Sequence, residues 1–199
     1  MRGVGDRCEV RKFRIAAACT TRPPWRHVMM IQPAQYDDLP TILSLYDHAR
    51  ALQRERGMVV WPEFDTGLLA GEIREGRQFV LSDGGGIECN WAVTWSDMQI
   101  WGARDRADAV YLHRICTHAD ARGKRHILRV VDWARDYARS LGRPLLRLDT
   151  LGHNTGLIRH YTSAGFMFLG MATIADTSGL PQHYRDNPRC CYFEMDVAT

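Results

Sequence analysis

The chain of 199 residues has no apolar run approaching the roughly 20 residues needed to cross a bilayer, so a membrane-spanning helix is excluded. It also has no G-x-S-x-G turn, which removes the serine-hydrolase elbow. Its six cysteines, Cys8, Cys19, Cys89, Cys116, Cys190 and Cys191, form no C-x-x-C pair and follow no regular spacing. Neither a disulfide framework nor a zinc knuckle is expected, and a reducing, cytoplasmic setting fits best. Charge of one sign is lacking too: 26 basic residues are interleaved with 23 acidic ones for a formal +3. No nucleic-acid or membrane partner is called for.

What is present is enough for one core. With 45% hydrophobic residues, the chain can bury a single α/β domain and is short for two. Residues 1–29 are arginine-rich, contain Pro23-Pro24 and show neither a helical nor a strand period. They are expected to lie outside the fold, as an extension translated from a start upstream of Met29 or Met30. Residues 30–199 are expected to form the domain.

In that span short strand-like runs alternate with amphipathic helices. Met30 to Pro33 reads as a strand. Asp37, Asp38 and Pro40 supply helix-start chemistry before Ile42, Leu45, Tyr46, Ala49 and Leu52. A second helix is expected over residues 63–75. Gln78 to Leu81 and Ile87 to Trp95 flank an Asp83-Gly84-Gly85-Gly86 hairpin turn. Strict alternation over Val110 to Thr117 places Tyr111, His113, Ile115 and Thr117 on one face and Leu112, Arg114 and Cys116 on the other. The clearest helix carries Ile127, Val131, Ala134, Ala138 and Leu141 at three-to-four spacing, with Gly142 to end it. Leu145 to Leu151, the short helix Asn154 to Ala164, Phe166 to Thr173 and Cys190 to Val197 complete one mixed sheet with helices.

The order strand, basic turn, long helix makes an anion site, because the first helical turn leaves amides unpaired and points its dipole outward. Arg122, Lys124 and Arg125 add charge there. The run YLHRICTHADARGKRHILRVVDWARDYARSLG, followed by LLRLDT and NTGLIRHYTSAGF, resembles the GNAT superfamily of N-acetyltransferases, over essentially all of residues 30–199. The resemblance implies a mostly antiparallel central sheet of about seven strands flanked by about four helices. It implies acetyl-coenzyme A as acyl donor and no metal. It also implies that backbone amides of Arg122, Gly123, Lys124, Arg125, His126 and Ile127, with Leu128 beside them, hold the pyrophosphate. Arg125 and Ile127 stand where the family's loop carries glycine or alanine. Ile115, Cys116 and Thr117 take the strand that pairs with pantetheine, and Asn154 and Tyr161 take the positions beside the cofactor and its sulfur.

Acyl transfer to an amine needs a neutral nucleophile, and an alkylammonium of pKa about 10.4 is only about one part in a thousand neutral at pH 7, a deficit of about 4 kcal/mol. A base removes that proton and an acid protonates the leaving thiolate. His113 is the candidate base, since related serotonin N-acetyltransferases carry a His-x-His pair where this chain has Tyr111 and His113. Tyr161 is the candidate acid. The acceptor pocket is expected between the first two helices and the last two strands, with Trp61, Trp95, His183 and Tyr184 as lining and residues 178–188 as a loop at its mouth. The acceptor is a small-molecule or peptide amine, and a homodimer is left open. A metal site from His113, Cys116 and His118 is set aside, because alternation puts His113 and Cys116 on opposite faces. The alternative reading is a non-catalytic acyl-coenzyme A sensor, which draws on the two replaced glycines.

Overall fold

The computed structural model describes residues 29–198, so the extension expected over residues 1–29 lies, except for Met29, outside the described residues. Seven strands form one sheet: β1 (Met30–Pro33), β2 (Gln78–Ser82), β3 (Ile87–Thr94), β4 (Ala109–Thr117), β5 (Leu145–Leu151), β6 (Met167–Thr173) and β7 (Arg189–Asp196). Their order is β1-β2-β3-β4-β5-β7-β6. Every pair is antiparallel except β4 with β5. Four helices of nine or more residues are α1 (Leu39–Glu55), α2 (Thr66–Arg74), α4 (His126–Ser140) and α5 (Thr155–Ser163); α3 (Met98–Trp101) and α6 (Gln182–Asp186) are single turns. The two single turns lack enough periodic residues to show in the sequence, and α6 falls in the stretch read as a loop.

The alternation of each strand sets two cores. On one face Trp91, Val110, Leu112, Leu146, Leu148 and Phe193 pack against Ile127, Val130, Val131, Ala134 and Ala138 of α4. The helix presents this stripe because those residues recur every three or four positions. Leu141, expected in the stripe, is 44% exposed: it follows the last helical residue, and Gly142 at φ 65° turns the chain away. On the opposite face α1 and α2 bury Ile42, Leu45, Tyr46 and Leu69 against Val80 and Cys116, while Trp101, Tyr111, Cys190 and Tyr192 form a third cluster further along. The four described cysteines are free thiols and all are buried. No helix among the described residues is long and apolar enough to cross a membrane.

Two irregularities shape the centre. β4 and β5 pair only over Ala109–Tyr111 with Leu145–Arg147, so their far halves separate into a fork. On its other edge β4 carries a bulge: Asn90 opposes Cys116 and Ala92 opposes His113, leaving Trp91 across from both Arg114 and Ile115. Arg114 sits at φ 51°, the left-handed region that marks the inserted residue.

The bulge corrects the strict alternation expected of this strand. Leu112, Ile115 and Thr117 share the α4 face, where Thr117 Oγ1 meets the buried Cys89 at 3.6 Å. Tyr111, Arg114 and Cys116 share the other, where Arg114 reaches Glu72 of α2 and the Cys116 thiol donates to the Leu45 carbonyl of α1. The argument that separated His113 from Cys116 by face therefore fails, although Cys116 is committed to α1.

Candidate active site

The fork opens into a cleft of about 1300 Å³ that runs from the start of α4, between β4 and β5, to the α1–α2 connection and α6. At one end the chain leaves β4 through a 3-10 turn at Ala119–Ala121 and enters α4. Gly123 takes φ 85° and Arg125 φ 56°. Arg125 thus adopts the left-handed conformation that a glycine would take freely, at a cost of roughly 1–2 kcal/mol. The N–H of Arg122 goes to the Ala119 carbonyl and that of Lys124 to Ala121. Among the described residues the amides of Gly123, Arg125, His126 and Ile127 donate to no carbonyl. Four free donors at a helix N-terminus make an anion cradle.

The side chains of this arm do other work. Glu88 of β3 accepts from Lys124 Nζ at 2.5 Å and meets His126 Nε2 at 2.6 Å, clamping the arm to the sheet. Lys124 does not line the cleft, so the cation expected at the anion site is held by Glu88 instead. Arg122, Gly123, Arg125, His126, Ile127 and Leu128 do line it. Ile127 is buried against the sheet as part of the α4 stripe, which keeps its side chain out of the cradle while leaving its amide available.

Beyond the bulge Ile115, Cys116 and Thr117 line the cleft along the edge of β4 that β5 has left unpaired. Asn154 caps α5 by accepting from the Leu157 amide at 3.0 Å and borders the cleft at the tip of β5. Tyr161 of α5 packs on Phe193 and Phe166 on the α4 side of the sheet and lines the fork. Burial, with smaller contributions from Cys89 and Asp149, raises its hydroxyl well above the ordinary tyrosine range, so it remains a proton donor at neutral pH.

His113 enters from the opposite face, held through Nε2 by the Thr94 hydroxyl at 2.8 Å. Burial and the charges of Arg114 and Arg77 push its pKa down to about 3. The ring is neutral and weakly basic, a different state from the near-neutral titration expected of an ordinary histidine. Tyr111, the other half of that pair, donates its hydroxyl to Asp105 and accepts from Arg147, inside the core.

Sequence reasoning passed over two acids beside His113. Asp149, next to Leu148 on β5, lines the cleft; Asp97 lies behind it in the connection from β3 to α3. Donor atoms of Asp97, His113 and Asp149 lie within 4.8 Å of one another. Asp105 fixes the turn that carries Asp97, accepting from the Ser96 hydroxyl at 2.6 Å and the Asp97 amide at 2.7 Å. Burial, then Asp149 and Asp105, push Asp97 up to about 8, and burial pushes Asp149 up to about 6 despite the Cys190 thiol at 3.8 Å. Burial and mutual repulsion therefore oppose ionisation of both acids together.

Of the expected acceptor lining, Trp61, His183 and Tyr184 border the cleft. Trp61 also packs edge-on against Tyr46 and Phe64. Trp95 does not border it; at 36% exposure it lies near the far end of the sheet, its carbonyl bound by Arg143.

No protein-family model and no curated protein matches the chain. Solved structures do. A GNAT-family acetyltransferase from Listeria monocytogenes is similar with a TM-score of 0.65 at 20% identity, over 84% of this chain and 94% of that one. A putative acetyltransferase from Salmonella typhimurium, solved with its cofactor acetyl-CoA, gives 0.59 at 17%, over 85% and 94%. The ribosomal-protein-S18-alanine N-acetyltransferase from Escherichia coli gives 0.58 at 15%, over 85% and 94%. The fold is the GNAT fold.

Proposed function

We propose that the chain is an N-acetyltransferase that moves an acetyl group from acetyl-coenzyme A directly to the primary amine of a small-molecule or peptide acceptor. The observation that carries this reading is the fork. One end offers four free amides to a diphosphate, its edge offers unpaired strand backbone to the amides of a pantetheine arm, and Tyr161 borders its floor. These features fit coenzyme A in order along its length. Bound there, the donor supplies an acetyl group activated on sulfur. Gly123, Arg125, His126 and Ile127 would hold the diphosphate, and Ile115, Cys116 and Thr117 the pantetheine.

Arg125 keeps a left-handed turn of the kind a glycine would supply, which supports donor binding despite the replaced glycine. Tyr161 faces the fork from the α4 side and gives a proton to the departing sulfur, while the acceptor approaches from the face carrying His113, Trp61 and Tyr184. The similar folds include one named for a protein alanine acceptor, which leaves the choice between peptide and small amine to the α1–α2 and α6 walls.

Calorimetry with acetyl-coenzyme A, then free-thiol release over a panel of monoamines, amino acids and peptides, tests the reading. Binding with thiol release on at least one amine is expected. Absence of binding sinks it, and binding with no release on any amine leaves only the sensor.

A further inference from the structure

Resting on that reading, we infer that Asp149 receives the acceptor's ammonium and takes up its proton, with Asp97 as the positioning acid behind it and His113 as a neutral spacer. Three segments distant in sequence converge here: the turn after β3, the middle of β4 and the end of β5. Only Asp149 and His113 of the three reach the cleft, while Asp97 Oδ2 is buried without a hydrogen-bond partner. A buried carboxyl group with one oxygen lacking a donor, lying within 4.8 Å of a second carboxylate, is stable only if the pair holds a proton or another cation. The second charge of the pair is therefore left on the member that meets the cleft.

The placement suits direct transfer. Tyr161 and Asp149 border the fork from opposite faces of the sheet, so sulfur and nitrogen are served by separate groups. Asp149 accepts one N–H proton from the ammonium, which frees the lone pair to form the new N–C bond. As the C–S bond breaks, its electron pair leaves with sulfur, which takes the Tyr161 proton. The second proton lost by nitrogen returns to the tyrosine through water, and Asp149 releases its own to solvent. Of the two basic groups on the acceptor face, Asp149 is the stronger, since burial and then the charges of Arg114 and Arg77 oppose any proton on His113.

Titratable groups face Asp149 from several elements. Asp97, itself faced by Asp105, lies against it from the β3–β4 connection, and His113, itself faced by Arg114, from β4. Tyr161 comes from α5, Tyr184 from α6, and Cys190 and Tyr192 from β7.

The test is a pH series of kcat/KM with the best amine of the panel, alongside ¹³C titration of aspartate carboxyls in the free protein. Wild type should show carboxyl steps near 6 and near 8 from the pair. Asp149→Asn should lower kcat about 10²–10⁴-fold and remove the ascending limb near 6, with acetyl-coenzyme A affinity unchanged. Asp149→Glu should restore part of the rate. Asp97→Asn, which imitates the protonated acid, should keep the step near 6 and lose the one near 8. An active wild type whose Asp149→Asn variant keeps its rate and pH limb overturns this inference and leaves the acetyltransferase reading standing. Thiol release that stops on chelation and returns with zinc also overturns it, because the pair then holds a metal. Binding without turnover on any amine overturns both.

Discussion

The two ends of the cleft are built from different materials. At the start of α4 the working groups are main-chain amides, whose positions follow from the turn, so the side chains are free to vary: Lys124 serves Glu88, Ile127 serves the core, and Arg125 stands in for a glycine. At the acceptor end the working groups are side chains brought from three segments, and each depends on its neighbours for its charge. A backbone site tolerates replacement as long as the dihedrals survive; a side-chain site does not.

The sharpest way to probe that contrast is Tyr161→Phe. Loss of this one side-chain hydroxyl should lower kcat about 10²–10⁴-fold while acetyl-coenzyme A affinity, read by calorimetry, stays within about twofold. At the amide end the comparable lesion must strike the dihedrals. Gly123→Val places a β-branched residue at φ 85°, and a strain of roughly 1–3 kcal/mol should weaken acetyl-coenzyme A binding by about 5–150-fold. A Gly123→Val protein that binds normally would break the comparison.

How the two ends differ in legibility follows from the same distinction. Contiguous features were readable: the β5 bounds, the α4 stripe and the strand-turn-helix order of the arm all sit in one stretch, where period and turn chemistry report directly. The partial pairing of β4 with β5 was not, nor was the bulge on the other edge of β4, whose only trace in sequence is one residue too many. That residue also misplaced Ile115 and Thr117 relative to His113. Asp97 and Asp149 were missed for a different reason: 52 positions apart, they meet only through the sheet. LLRLDT offered a signal, since Asp149 directly follows the buried run Leu146-Arg147-Leu148 of a central strand, where an acid needs a partner.

Smaller effects complete the series. Asp97 has a folded pKa raised above its unfolded value, so between about 4 and about 8 the folded state binds more protons and wild type loses stability as pH rises. Asp97→Asn lacks that loss. Its Tm relative to wild type should climb from pH 5 to 8 and level off above, and a constant difference would mean that Asp97 is not a buried acid. At the small end, Arg125→Gly relieves the left-handed strain but loosens the unfolded chain. Its stability should change by less than about 1 kcal/mol, with acetyl-coenzyme A binding kept, as thermal melts with and without donor would show.

The inserted residue in β4 has a mechanical side. Take Arg114 out of the run and the remaining residues alternate without interruption; it is a guest in an otherwise regular strand. Its guanidinium lies over the Phe64 ring at 5.4 Å and reaches Glu72 of α2 at 2.5 Å, and Glu72 also meets Arg77 at 3.6 Å. Arg114 is thereby a tether from the donor edge of the fork to the helix pair that walls the acceptor side. Outward movement of α2 must either break the Arg114–Glu72 pair or carry β4 with it, so the two walls of the cleft open as one.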